Sequence, residues 1–201
     1  MIGKNIQEIE SFLQKIIFPE LEKGRPNWDK PHTIAVVHYL KEIFKNTPDL
    51  TVDFPVLLIA SYAHDWGYSG LFHEGKVIKL TDIIAVKKLH MEIGAKKIAK
   101  LLTDPFFSIL HAQQKKRIVH LVKMHDRLIE LRDTDERILV EADTLGGLDT
   151  DYIKPFSDKE SGDRYISGVE KKRIPLFITE YGKMKVRELI EKRKQHYETL
   201  L

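Results

Sequence analysis

The chain has 201 residues, of which 42% are hydrophobic and 31% charged, a composition typical of a globular protein of one domain. Its formal net charge of +3 is too small to indicate nucleic acid or a membrane surface as a partner. Cysteine is absent, which excludes disulfides, thiolate metal sites and cysteine nucleophiles, so any metal must be bound by histidine, aspartate or glutamate.

Apolar residues recur at helical spacing along most of the chain, and no segment shows the alternating pattern of a strand. We therefore expect an all-α fold, with a helical domain over residues 1–150 and a C-terminal helical extension, residues 151–201, packed on its core. In chain order, the predicted helices cover about residues 2–18, 29–46, 54–65, 81–102, 112–126, 134–144 and 183–199.

Short local signals indicate where three of these helices begin or end. Asp29 is a candidate N-cap with Pro31 in the first turn, and Asp53 followed by Pro55 repeats the signal. The glycine pair at 146–147 is expected to end the helix that begins near residue 134. Basic runs at 87–88, 115–117 and 171–173 are interpreted as solvated helix faces.

Polar residues occupy positions on these helices where core residues are expected. His32, for example, lies on one face with Val36 and Leu40. Each such residue has an ordinary explanation by itself, as a satisfied core histidine or a turn-forming aspartate. Together they direct several donors inward, and divalent cations at the middle of a bundle would satisfy every group at once. The other inward-facing donors are His64, Asp65, His90, His125 and Asp143.

Five motifs follow one another in the order H…HD…H…H…D, namely PHTIAVVHYL, SYAHDWGY, KLHMEIGAKKIA, VKMHD and EADTLGGLD. Over about residues 25–150 this pattern resembles the HD-domain superfamily of metal-dependent phosphohydrolases, and among them the small stand-alone bacterial members. The resemblance implies an HD-domain-like helical bundle that binds metal.

Six residues align with metal ligands of that superfamily. The ligands implied for a first metal are His32, His64, Asp65 and Asp143. His90 and His125 align with histidines that bind a second ion in two-metal members, where the aspartate at the position of Asp65 bridges, or that face the substrate phosphate in one-metal members. We expect two ions. A nitrogen-rich site without thiolates suits Mn, Fe, Co, Ni or Zn better than Mg, and no organic cofactor is expected.

The implied reaction is attack of metal-bound hydroxide on a phosphate ester or pyrophosphate bond of a nucleotide-like small molecule. Asp65 is the predicted catalytic residue, because a ligand carboxylate can also orient the water. Candidate substrate-binding residues are Lys87 and Arg127, as cations near the ligands, and His73, as a proton donor or leaving-group contact. The absence of an acidic pair after HD, and of a Gly-Tyr-Pro motif, argues against a guanosine alarmone or a cyclic dinucleotide as substrate.

Two other functions fit the same residues. Di-iron oxygenases of the superfamily, which cleave C–C or C–P bonds, have the same six ligands. A non-catalytic module that binds metal or nucleotide to regulate a partner requires binding alone.

The expected partner is a small phosphorylated substrate rather than nucleic acid or a membrane, and a homodimer is compatible with the sequence. The amino-terminal residues lack the apolar stretch of a signal peptide, and no apolar run reaches transmembrane length. We therefore expect a cytoplasmic protein.

Overall fold

The computed structural model describes residues 2–72, 80–154 and 159–198. Within these ranges the chain forms α-helices and short 3₁₀-helices and no strand, which confirms the all-α prediction. None of the described helices is long and apolar enough to cross a membrane. The α-helices are α1 (Ile2–Leu21), α2 (Asp29–Asn46), α3 (Phe54–Ala63), α4 (Leu80–Leu101), α5 (Ala112–Met124), α6 (Thr134–Leu148), α7 (Lys159–Lys172) and α8 (Glu180–Glu198).

The chain divides into two compact units. Unit 1 comprises residues 1–30 and 53–127, and unit 2 comprises residues 31–52 and 128–201. The predicted domain boundary at residue 150 stays a prediction.

In unit 1, the apolar helix α3 is central, and it packs against α1 and α5. It begins as predicted, because the Asp53 carboxylate caps it by accepting a hydrogen bond from Val56 N at 3.2 Å, with Pro55 in the first turn. All of its residues from Val56 to Ala63 are buried. Helix α4 packs against α5 and against the 3₁₀-helix Trp66–Tyr68, which follows α3.

Two helix ends in unit 1 fall earlier than predicted, and both leave a histidine at the C-cap. Helix α3 ends at Ala63 with His64 as its C-cap, and α5 ends at Met124 with His125 as its C-cap. The last carbonyls of a helix have no partner within it. A histidine at the C-cap therefore finds an acceptor in its own helix.

In unit 2, helix α6 continues through Gly146 and Gly147 to Leu148, so the prediction that this pair ends the helix is wrong. The glycines instead allow close packing. A Cβ on Gly146 would lie 2.8 Å from Val36 N in α2, and one on Gly147 would lie 2.7 Å from the Tyr165 hydroxyl in α7. At Gly146, glycine is required by the neighbouring backbone of α2 rather than by a turn.

The C-terminal helices of unit 2 are joined to α6 by buried polar contacts. The fully buried Glu141 carboxylate accepts hydrogen bonds from Ile178 N, from Thr179 N at 3.0 Å and from the Thr179 hydroxyl at 2.6 Å, just before α8 begins. From within α8, the buried Arg193 guanidinium donates to Gly147 O at 2.6 Å. These contacts fix α8 against the helix that carries Asp143.

Asp29 does not cap α2 as predicted, because it is the first residue of that helix. Its buried carboxylate accepts hydrogen bonds from Arg25 N at 2.6 Å and Arg25 Nε at 2.5 Å. Asp29 is therefore the partner of a buried arginine.

Candidate metal centre

Four of the predicted ligands lie together in unit 1, all of them buried. Nε2 of His90 and Nε2 of His125 are 3.3 Å apart, and each lies 3.6 Å from Asp65 Oδ1. Nε2 of His64 lies 3.4 Å from the other oxygen, Asp65 Oδ2. The donor atoms of Asp65, His90 and His125 all lie within 4.8 Å of one another.

The two C-cap histidines have their ring orientations set by their own helices. His64 Nδ1 is 2.8 Å from Ser61 O, and His125 Nδ1 is 2.8 Å from Val122 O. A carbonyl oxygen accepts hydrogen bonds and never donates, so Nδ1 carries the proton in both rings. In the neutral form of each ring, Nε2 is therefore an unprotonated donor atom for a metal, directed towards Asp65.

Two residues of the 3₁₀-helix that follows the HD pair, Gly67 and Tyr68, pack against His90. A Cβ on Gly67 would lie 1.7 Å from His90 O, so only glycine allows this turn to rest on α4. The Tyr68 ring stacks on the His90 imidazole, with ring centres 4.0 Å apart. Burial, aided by the neighbouring His125, lowers the pKa of His90 to about 3, so the ring is neutral at physiological pH.

This arrangement fits a divalent cation. With Nδ1 protonated, Nε2 of His64 and of His125 either carries a second proton and pairs with the Asp65 carboxylate at 3.4 to 3.6 Å, or offers its lone pair to a cation bound beside that carboxylate. His90, whose ring is neutral and whose buried Nδ1 has no hydrogen-bond partner among the described residues, adds a third imidazole to the same cluster. Imidazole nitrogens and carboxylate oxygens in this proportion are the usual ligands of transition metals.

A buried arginine holds the aspartate of the HD pair. The Arg25 guanidinium donates to Asp65 Oδ2, pairs with Asp29 and lies over the Tyr68 ring at 4.1 Å. Burial alone would raise the pKa of Asp65, but His64 and Arg25 together keep it well below the usual range of a carboxyl. Asp65 is therefore ionised, as a metal ligand must be.

The other two predicted ligands lie together in unit 2. His32 in α2 and Asp143 in α6 are buried, with His32 Nε2 2.9 Å from Asp143 Oδ1. Arg173, just after α7, donates from its terminal nitrogen to Asp143 Oδ2 at 2.8 Å. Like Asp65, Asp143 thus has both histidine and arginine as neighbours of its carboxylate.

The predicted substrate-binding residues are less clearly placed. Lys87 Nζ forms an ion pair with Asp126 at 3.3 Å, so its charge has a partner. Arg127 is half-buried, and its backbone N–H donates to Met124 O. His73 lies outside the described residues. All three stay predictions, as does the role of Asp65 in catalysis.

The sequence analysis missed both arginines. For Arg25 the one local signal is its spacing of four residues from Asp29. Arg173 was included in a basic run interpreted as a solvated face. Lys171 and Lys172 are indeed exposed, but the Arg173 side chain is 18% exposed, so the interpretation is wrong for Arg173.

Comparison with known proteins places this site in a family. The family model for the HD domain matches residues 31–147, which is more than half of the chain. The chain belongs to the HD domain family. Its membership confirms the resemblance seen in the sequence and places the chain in a superfamily of metal-dependent hydrolases. All six predicted ligands lie within the HD domain, whereas Arg25 and Arg173 lie outside it. No curated protein and no solved structure matches the chain.

Proposed function

We propose that this HD-domain protein is a phosphohydrolase that depends on one or two divalent transition-metal ions and cleaves a phosphate ester or pyrophosphate bond of a small, nucleotide-like molecule. The observation that carries the proposal is the donor set around Asp65. Two histidines with Nδ1 bonded to backbone carbonyls direct Nε2 towards that ionised carboxylate. His32 and Asp143 are proposed as further ligands because the HD-domain match includes them and they contact each other at 2.9 Å.

When bound, a divalent ion lowers the pKa of a water molecule and polarises a phosphoryl oxygen, which is the chemistry that phosphoester hydrolysis requires. The side chains around Asp65 are already oriented for this chemistry. Asp65 is ionised and kept in one orientation by Arg25, and the Nδ1 contacts of His64 and His125 keep both rings turned towards it. Because these groups are ordered in advance, little reorganisation opposes the reaction.

The proposal is tested by measuring metal content and phosphate release on the same preparations. The full chain is purified without chelator and analysed for Mn, Fe, Co, Ni and Zn. It is then assayed on nucleotide mono-, di- and triphosphates with each ion added. We expect bound metal and metal-dependent release of phosphate or pyrophosphate. Asp65→Ala is expected to lose metal and turnover together, whereas Asp49→Ala, at an exposed aspartate, retains both.

The same experiment separates the alternative functions. An iron-loaded protein that consumes oxygen but releases no phosphate from any nucleotide would favour the di-iron oxygenase. A protein that binds metal or nucleotide tightly and turns over nothing would favour the regulatory module. Turnover that survives Asp65→Ala would contradict the proposed centre.

A further inference from the structure

Arg173 approaches the candidate ligand Asp143 from a part of the chain that the HD-domain match does not include. Its terminal nitrogen donates to Asp143 Oδ2 at 2.8 Å and to the Thr144 hydroxyl at 3.1 Å. The hydroxyl in turn donates to Val140 O at 2.6 Å, so the arginine is anchored to the backbone of α6 as well as to the carboxylate. The guanidinium is thus held at two points.

The backbone around Arg173 is also fixed. Its N–H donates to Val169 O at 2.9 Å, which ends α7, and a short 3₁₀-helix, Ile174–Leu176, follows. Ile166 and Val169 of α7 are buried. The backbone from which the Arg173 side chain reaches Asp143 is therefore held between the end of α7 and the 3₁₀-helix that follows.

The two oxygens of the Asp143 carboxylate have different partners. With Oδ2 accepting from Arg173, Oδ1 faces His32 Nε2 at 2.9 Å. Charge-assisted hydrogen bonds of this kind fix a carboxylate strongly, and residues that orient a ligand commonly determine how well the metal binds. Without Arg173, Asp143 Oδ2 would lose this charge-assisted hydrogen bond, and the buried carboxylate would lose the cation beside it.

We propose that Arg173 is a positioning residue for Asp143, which it holds with Oδ1 available to a metal. The segment that follows α7 then helps to position a candidate metal ligand. This inference rests on the proposed function in one respect, namely that Asp143 is a metal ligand.

The test is Mn²⁺ affinity, measured by isothermal titration calorimetry on the full chain after treatment with chelator and dialysis. Arg173→Gln is expected to weaken Mn²⁺ binding by about 10- to 100-fold, the usual effect of removing a group that orients a ligand. Arg173→Lys, which keeps the charge, is expected to restore part of the loss. Arg164→Gln is the matched control, because Arg164 lies in α7, the helix that precedes Arg173, with a side chain that is 63% exposed, and the affinity of this variant should equal that of the wild type.

A second variant tests the contact without removing the buried charge. Thr144→Val deletes the hydroxyl that Arg173 contacts at nearly constant volume, and we expect a several-fold weaker affinity. If Arg173→Gln does not fold, as judged by circular dichroism, Arg173→Lys and Thr144→Val decide the question. Wild-type affinity in both would overturn the proposal.

The outcomes distinguish this inference from the proposed function. If the wild type binds Mn²⁺ and hydrolyses phosphate compounds, and folded Arg173→Gln binds Mn²⁺ equally well, Arg173 has no positioning role and the proposed function stands. If the wild type binds Mn²⁺ but hydrolyses nothing, a weaker affinity in Arg173→Gln still supports the role of Arg173. A wild type that binds no Mn²⁺ overturns the inference.

Discussion

At the scale of single residues, both aspartates among the predicted ligands have the same two kinds of neighbour, an arginine and a histidine. Asp65 and Asp143 each accept from an arginine through Oδ2 and face a histidine nitrogen through Oδ1; Arg25 is buried and Arg173 partly buried. A buried carboxylate without such a partner would take up a proton and become a poor ligand. Arg25 therefore helps to keep Asp65 ionised, and Arg173 places a positive charge beside Asp143.

Replacing Arg25 by methionine is expected to lower the free energy of unfolding by about 3–5 kcal/mol, because it leaves Asp29 and Asp65 buried without their cation. Urea denaturation of the chelator-treated protein measures this. Lys23→Met serves as the control, because the Lys23 side chain, which pairs with Glu20, is 64% exposed. It should change the free energy of unfolding by less than about 1 kcal/mol. Equal effects of the two substitutions would show that the buried pair has no special importance.

The lowered pKa of His90 predicts how stability depends on pH. Its pKa is about 3 in the folded protein and about 6.5 in an unfolded chain. Between these values the unfolded state binds the extra proton, so this residue destabilises the fold as pH falls below 6.5. Compared with His90→Gln, the metal-free wild type should lose about 1 kcal/mol more per pH unit between pH 6 and pH 4. Parallel pH profiles for the two proteins, from urea titrations, would contradict the assignment.

At the scale of helices, most elements follow from local patterns, and the errors have a common cause. Asp53 and Pro55 correctly predict the start of α3, since a cap requires only residues adjacent in sequence. The helix end predicted at Gly146 and Gly147 was wrong because a glycine pair gives the same sequence signal in two cases. It can end a helix, or it can allow another helix to pack closely against the one that contains it. The difference lies in Val36, more than a hundred residues away in the chain.

The packing role of Gly146 can be tested against a second helical glycine. In Gly146→Ala the new methyl group would lie 2.8 Å from Val36 N, so backbone must shift, and we expect destabilisation by about 1–3 kcal/mol. Gly168→Ala in α7 has no atom within 4 Å of the added carbon, so its better helix propensity should stabilise the protein by about 0.5–1 kcal/mol. Thermal unfolding distinguishes the two. If Gly146→Ala is neutral or stabilising, the glycine is not needed for packing.

At the scale of the whole molecule, the sequence indicated the buried histidines and aspartates of each unit but not the arginines that contact them. A polar residue on an apolar helix face is visible from spacing alone, and His32 and His125 are buried as that spacing requires. The contacts of Arg25 with Asp65 and of Arg173 with Asp143 span 40 and 30 residues, and a long flexible side chain gives no periodic signal of its target. Charged residues outside regular patterns therefore require the structure.

Metal binding should stabilise the folded chain as a whole. An ion at one hundred times its Kd contributes about 2.7 kcal/mol, which for a protein of this size raises Tm by about 5–10 °C. Differential scanning fluorimetry with Mn²⁺, Ni²⁺ or chelator measures the shift. Asp65→Ala should remove it, and the exposed variant Asp49→Ala should keep it. An identical shift in Asp65→Ala would mean that the ion binds elsewhere.

The buried carboxylate of Glu141 has a consequence for truncation. Its three hydrogen-bond donors all come from Ile178 and Thr179, immediately before the last helix. A chain that stopped at residue 177 would leave the Glu141 carboxyl buried without these donors, and burial, which already raises the pKa of this group, would then favour its protonated form at a cost in stability. The final two dozen residues are therefore not a dispensable tail, and a shortened version of this enzyme candidate should emerge from expression as insoluble material rather than as a smaller working protein.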